Sequence, residues 1–143
     1  LNYKIIDKEK DYNLIRGSEY SAGIDLRNVE DAVVIQPNQK YVIHTNVAVE
    51  IPCGYMGLIL SRSGLSSKKE LVLLNGVGLI DNDYRGEIMV AVKNLSDKDI
   101  TLEKFEMVAQ LVITPYLHVP LNKVDELSDT ERGTGGFGSS GRK

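Results

Sequence analysis

Two short segments hold residue types that phosphate chemistry uses. Arg62-Ser63-Gly64 puts a guanidinium and a hydroxyl beside a glycine that lets backbone N–H groups point inward, a combination that cradles phosphate. An isolated tripeptide of this kind is more often a plain turn, and no Gly-x4-Gly-Lys-Ser/Thr loop is present. The second segment runs Asn75-Gly76-Val77-Gly78-Leu79-Ile80-Asp81-Asn82-Asp83-Tyr84-Arg85-Gly86-Glu87. Its Asn-Gly pair between apolar runs predicts a hairpin, whose exposed backbone groups could read the edge of a flat base. Asp81 follows the apolar pair Leu79-Ile80, so it sits at a strand end with a partly dry neighbour, where a carboxylate can take a proton from water. Spacing alone favours the plainer reading, with Asp81, Asn82 and Asp83 as turn formers and Tyr84 as a β-rich aromatic. Asp25, between Ile24 and Leu26, is by type a cap or ion-pair partner and less commonly a metal-site residue. Gln110 stands inside an apolar run and, if buried, needs a partner: usually a neighbouring strand, less often a ligand.

The third feature is Arg132-Gly133-Thr134-Gly135-Gly136-Phe137-Gly138-Ser139-Ser140-Gly141. Half of it is glycine, and by composition it reads as a linker that cannot fold alone. A pure linker has no use for Phe137, however, and Arg132 and the Ser139-Ser140 pair at its two ends are phosphate-binding types. Such a segment can order on a ligand with one flat apolar part and one charged part.

Other chemistries are poorly served. The two histidines, His44 and His118, lie on separate runs with no cysteine near them, so a zinc site is not expected. No Gly-x-Ser-x-Gly or Ser/His/Asp spacing is present. The single Cys53, between Pro52 and Gly54, has no base beside it and reads as inert; a lone cysteine also fits a reducing compartment. A net charge of −3 argues against a nucleic-acid polymer as partner, though not against a small phosphorylated ligand. No apolar run reaches the ~18 residues of a membrane span, and the acidic residues near the first residue fit neither a signal nor a transit peptide. A cytoplasmic protein is the expectation. The remaining carboxylates and phosphate cradles suit Mg2+-assisted attack of water on a phosphate.

Positioning these groups falls to β-structure. Residues 41–49 alternate, with Tyr41, Ile43, Thr45, Val47 and Val49 on one face and Val42, His44, Asn46 and Ala48 on the other. Residues 87–93 repeat the pattern. Shorter β-rich runs fall at 4–6, 32–35, 55–60, 71–74, 100–102, 107–113 and 117–119, with turn chemistry between them. Many short strands predict an all-β sandwich or barrel, with at most a turn or two of helix over 66–70. At 143 residues one domain is expected: a core over 1–121 and a flexible arm over 122–143. A domain of this length buries roughly 68–70% of its unfolded surface and needs no staples.

In this order, these segments resemble the motifs of the homotrimeric dUTP pyrophosphatases, the dUTPases. Ser21-Ala22-Gly23-Ile24-Asp25-Leu26 is similar to the first motif and Leu60-Ser61-Arg62-Ser63-Gly64-Leu65 to the second. The segment from Asn75 to Glu87 resembles the third, Met107-Val108-Ala109-Gln110-Leu111-Val112 the fourth, and 132–141 the fifth. Two departures stand out: Lys104-Phe105-Glu106 replaces a Gly-Asp-like turn before the fourth motif, and Ser66-Ser67 follows the second.

The resemblance implies a jelly-roll-like distorted β-barrel, assembled as a homotrimer with active sites shared between subunits. It implies Mg2+-dependent hydrolysis of dUTP to dUMP and pyrophosphate. Asn75, Gly78, Leu79 and Met89 would hold uracil, and Tyr84 would pack under the deoxyribose where a 2′-hydroxyl would clash. Asp81 would activate the attacking water. Arg62, Ser63, Gly64 and Gln110 would cradle the phosphates, with Asp25 holding Mg2+ through water. Phe137 would stack on the base while Arg132, Gly138, Ser139 and Ser140 clasp the γ-phosphate. A dCTP deaminase shares the fold but has a differently built third motif and lacks the tail. The other rival is a dUTPase-like regulator that binds a protein; no protein partner is predicted here.

Overall fold

The structure, a computed structural model, describes residues 1–136. Eleven strands form among them: β1 (Asn2–Ile5), β2 (Ile24–Arg27), β3 (Val33–Ile35), β4 (Lys40–His44), β5 (Val47–Glu50), β6 (Tyr55–Ser61), β7 (Leu71–Leu73), β8 (Gly78–Ile80), β9 (Met89–Asn94), β10 (Ile100–Leu102) and β11 (Met107–Pro115). One helix, α1 (Ser63–Lys68), and one 3₁₀ turn (Lys8–Lys10) complete the described elements. The strands pair antiparallel in four small sheets: β1-β5, β10-β3, β2-β11-β6-β8 and β4-β9-β7. They wrap around one apolar centre that includes Leu26, Ile35, Ile43, Ile88, Leu102 and Leu111, each fully buried. The all-β, jelly-roll-like expectation holds, and the helix is as short as expected. No helix of the described residues is long and apolar enough to cross a membrane.

Several details depart from the sequence reading. The run over 41–49 is two strands, because Asn46 turns the chain with φ at 61°. Its side chain fixes that corner: the amide donates to the Asp7 and Lys10 carbonyls, and Oδ1 accepts from Asp7 N–H. The alternation survives the break, since Ile43, Thr45, Val47 and Val49 all remain buried. Asn75-Gly76 makes a turn in which Gly76 N–H donates to the Leu73 carbonyl, but no hairpin follows. β7 pairs with β9 while β8 crosses to pair with β6, so the turn carries the chain between sheets. The helix starts at Ser63, earlier than expected, and stops before Glu70, whose φ is 55°. The run 117–119 is no strand: Leu117 is 88% exposed and pairs with no strand among the described residues.

The substituted turn before the fourth motif forms with Phe105 at φ 62°. A left-handed phenylalanine costs roughly 1–2 kcal/mol. Its neighbours hold it there: Phe105 N–H donates to Asn28 O at 2.7 Å, Arg27 Nη1 donates to Phe105 O at 2.8 Å, and the ring lies 6.2 Å from that of Tyr12. Glu106 closes the turn by accepting from Glu103 N–H and pairing with Lys69 at 2.7 Å.

Candidate active site

β6 is the spine of the candidate site. Its residues alternate between the buried side, with Gly57 and Ile59, and an outward side, with Leu58 and Leu60. Register places Gln110 opposite Leu60 on one side and opposite Asp25 on the other, so Asp25, Gln110 and Leu60 form one row across three strands. Arg62 leaves the end of β6 and donates from Nη1 to the Asp25 carboxylate. Asp25 is buried in this pairing, and Arg62 is partly exposed. Gly23 is required by the same row: a Cβ there would lie 2.3 Å from Gln110 Oε1 and 3.1 Å from its Cδ. Ser63 and Gly64 open α1, both exposed, and a Cβ at Gly64 would meet nothing within 4 Å. Leu65 and Ser66 N–H both donate to the Arg62 carbonyl, which leaves the N–H groups of Ser63 and Gly64 without an intrahelical partner.

The residues expected to read a base gather separately. A cavity of about 160 Å³ is lined by Asn75, Gly78, Leu79 and Met89, together with Ile59 and Ala91 among others. The crossing from β7 to β8 builds it, by opening a slot between the two sheets where a hairpin would have closed one. Gly78 fits because β8 lies tight on β6: a Cβ at Gly78 would be 3.0 Å from the Cβ of Ile59. A larger open hollow of about 450 Å³, bordered by Glu50, Cys53, Asp83 and Arg85, collects none of the predicted residues.

Asp81 emerges directly from β8 and is exposed; its carbonyl accepts from Tyr84 N–H, closing a turn. Arg85 Nη1 donates to Asn82 O at 2.7 Å and to Tyr84 O at 3.0 Å. The Tyr84 hydroxyl donates to Glu87 O at 3.0 Å, and its ring folds so closely over Gly86 that a Cβ there would sit 2.4 Å from the hydroxyl oxygen. Sequence reasoning gave Arg85, Gly86 and Glu87 no role. Their only signal was position, since they close the segment that begins at Asn75.

Arg132 is exposed and donates from Nε to Gly135 O within its own turn, so within this one chain it is not brought to either group. Phe137, Gly138, Ser139 and Ser140 lie outside the described residues. No cluster of three or more His, Cys, Asp or Glu side chains suited to a metal occurs among the described residues. The tyrosines with displaced ionisation lie away from both groups. Burial pushes Tyr12 up to about 12, and burial followed by the Glu30 carboxylate raises Tyr41.

The order of the segments and the assembled pocket can be compared with known proteins. The family model described as dUTPase matches residues 11–141. The chain belongs to the dUTPase family. It is 50% identical over 123 residues to the deoxyuridine 5′-triphosphate nucleotidohydrolase of a Hydrogenobaculum species, covering 86% of this chain and 85% of that one. It is 45% identical to the Burkholderia cenocepacia protein of the same name, over 99% of this chain and 98% of the relative. Among solved structures, the Staphylococcus bacteriophage 80alpha dUTPase with dUpNHpp superposes with a TM-score of 0.88 at 37% identity, covering 99% of this chain and 98% of that chain. A mutant dUTPase from phage phi11 of S. aureus, described as coordinating a structural Mg(II) ion, gives 0.80 at 29% identity over 90% and 98% of the two chains. The two curated relatives are named nucleotidohydrolases and the two phage proteins dUTPases.

Proposed function

We propose that this dUTPase-family chain hydrolyses dUTP to dUMP and pyrophosphate. The observation that carries the reading is the cavity shared by Asn75, Gly78, Leu79 and Met89, with Asp81 leaving the strand that forms its wall. A flat base entering it meets the Asn75 amide and backbone groups at the β7–β8 crossing. A fixed donor and acceptor pattern of this kind rejects cytosine, because mispaired buried polar groups cost more than a lost contact. Tyr84, held by Glu87, packs against the sugar and excludes a 2′-hydroxyl.

Asp81 takes a proton from water as its oxygen attacks the α-phosphorus; the bond to the β-phosphate oxygen breaks and pyrophosphate departs. Charge developing on the phosphates is met by Arg62, Gln110, Ser63 and the open N–H groups of α1 at Gly64. Asp25 offers a hard oxygen donor beside that row. One side-chain carboxylate, without a cluster, fits Mg2+ held through water and mainly by substrate phosphates. Bound there, the ion would neutralise triphosphate charge. Arg132, Gly138, Ser139 and Ser140 close over the γ-phosphate and Phe137 over the base, from an arm over 122–143 that extends a core over 1–121.

The active unit in this proposal is a homotrimer with shared sites, in the cytoplasm. In support, Val112, Leu58 and Leu79 stand in one register row on the outward face of β11, β6 and β8, with Leu79 58% exposed. The phosphate row lies on that same face and Leu79 also borders the base cavity, so a second copy seated there can reach both groups. The test is pyrophosphate release from dUTP with Mg2+, run beside dCTP and UTP. Turnover confined to dUTP is expected; ammonia release from dCTP would overturn the reading.

A further inference from the structure

Glu87 joins the sugar-facing loop to a distant corner of the fold. Its Oε1 accepts from Asn46 N–H at 2.7 Å, and its Oε2 lies 2.9 Å from His44 Nδ1. Its backbone carbonyl accepts the Tyr84 hydroxyl at 3.0 Å. The corner it grips is itself fixed, because Asn46 has φ 61° and is tied to Asp7 and Lys10. One residue further on, Ile88 N–H donates to Val47 O at 2.7 Å, and Thr45 Oγ1 donates to Ile88 O. An unbroken set of hydrogen bonds thus runs from the N-terminal segment through the β4–β5 corner to the tyrosine ring. Only the last link touches the site.

We infer that Glu87 is a positioning residue for sugar discrimination, its carboxylate clamping residues 84–88 to the β4–β5 corner so that the Tyr84 ring cannot yield to a 2′-hydroxyl. The inference rests on the dUTP reading of the site. An exclusion based on steric contact works only if the excluding ring is stiff, since a ring that retreats lets the larger sugar in. Within residues 81–86 the bonds are local: Tyr84 N–H donates to Asp81 O and Arg85 donates to the Asn82 and Tyr84 carbonyls, with only a 3.8 Å pairing of Arg85 with Glu50 reaching outside 81–87. The ties to the β4–β5 corner come from Glu87 and from the backbone of Ile88, and of the two only Glu87 makes them with its side chain. Because it acts through Tyr84, its loss shows as lost choice between dUTP and UTP more than as lost turnover of dUTP.

The full chain and its Glu87→Ala and Glu87→Gln variants are assayed with dUTP and UTP. Glu87→Ala is expected to lower the dUTP-to-UTP ratio of kcat/KM about tenfold, mainly by improving UTP. Glu87→Gln, whose amide oxygen still accepts from Asn46 N–H, stays within about twofold of the parent. Combining Glu87→Ala with Tyr84→Phe should lower the ratio no further than the worse single variant. An unchanged ratio in Glu87→Ala overturns the inference, as do an equal loss in Glu87→Gln or losses that multiply in the double variant. Should Glu87→Ala fail to fold, exposed His44→Ala replaces it: about a threefold fall supports the clamp, and an unchanged ratio refutes it. If the parent does not turn over dUTP at all, the functional reading fails by itself. Hydrogen exchange without nucleotide then decides the clamp: Glu87→Ala, or His44→Ala in its place, must speed exchange of the Tyr84 and Ile88 amides, and unaltered exchange refutes it.

Discussion

Substituting Gly86→Ala separates the shape of the sugar pocket from the stability of the fold. Gly86 is not among the glycines with positive φ, so alanine meets no backbone strain there. Its added Cβ would lie 2.4 Å from the Tyr84 hydroxyl oxygen, 2.6 Å from Cζ and 3.0 Å from Cε2. Ordinary contact needs about 3.5 Å, so the ring must retreat by about 1 Å. The hydrogen bond to Glu87 O cannot survive that movement, and its loss costs about 0.5–1.5 kcal/mol. Because the ring is 40% exposed, it can swing toward solvent without opening a cavity in the core. A fall in Tm of a few degrees is therefore expected, roughly 2–4 °C per kcal/mol for a chain of this size. The larger effect falls on selectivity: the dUTP-to-UTP ratio of kcat/KM should drop by about one order of magnitude, worth ~1.4 kcal/mol. Steady-state kinetics on both nucleotides, beside thermal unfolding, reads the two effects apart. If Gly86→Ala keeps full discrimination while its Tm falls, the ring is not the sugar gate and the reasoning fails.

Other expectations follow from the same geometry. Asp81→Asn changes an exposed side chain while its backbone carbonyl still closes the turn to Tyr84. It should stay within about 0.5 kcal/mol of parental stability and bind a non-hydrolysable dUTP analogue normally, while kcat falls about 10²–10⁴-fold; retained turnover would reject Asp81 as the base. Truncation after Glu131 should remove most of the rate without dispersing the proposed trimer, checked by kinetics and light scattering; dissociation would make the tail structural. Tyr12 is raised to about 12 by burial, so its neutral form is favoured in the folded state. Its contribution is whole below pH 10 and is lost as pH climbs from 10 toward 12. Tyr12→Phe should flatten that alkaline loss in a pH series of urea midpoints.

Much of the fold could be read from alternation alone. The inward phase of Tyr41, Ile43, Thr45, Val47 and Val49 holds through the break at Asn46, because burial depends on which side of the chain a residue faces and not on whether the strand is continuous. The break itself was hidden, since it depends on Asp7 and Lys10, some forty positions away. Asn75-Gly76 was correctly read as a turn, but a turn residue specifies local geometry and not which strand the chain joins next. The apolar pattern at 117–119 promised a strand and found no partner edge among the described residues. At the site, Arg62, Asp25 and Gln110 were each visible by type, but only strand register sets Gln110 beside Asp25 and only the ion pair brings Arg62 to them. Glu87 escaped notice because a glutamate near a turn has no signature when its partners, His44 and Asn46, come from the β4–β5 corner some forty positions away.

The alternation of β6 has a consequence for which changes of length the chain can tolerate. Ile59 lines the proposed base cavity and Leu60 belongs to the proposed phosphate row, so β6 serves the two with adjacent residues that face opposite ways. Inserting or deleting one residue within β6 would exchange its two faces, pushing apolar groups toward solvent and disconnecting both halves in a single event. No second mutation on β6 alone could repair one half without spoiling the other. Insertions and deletions should instead accumulate where no register is shared, between the end of β11 at Pro115 and Glu131, where nearly every residue is exposed. There, extra residues change only the reach of the arm.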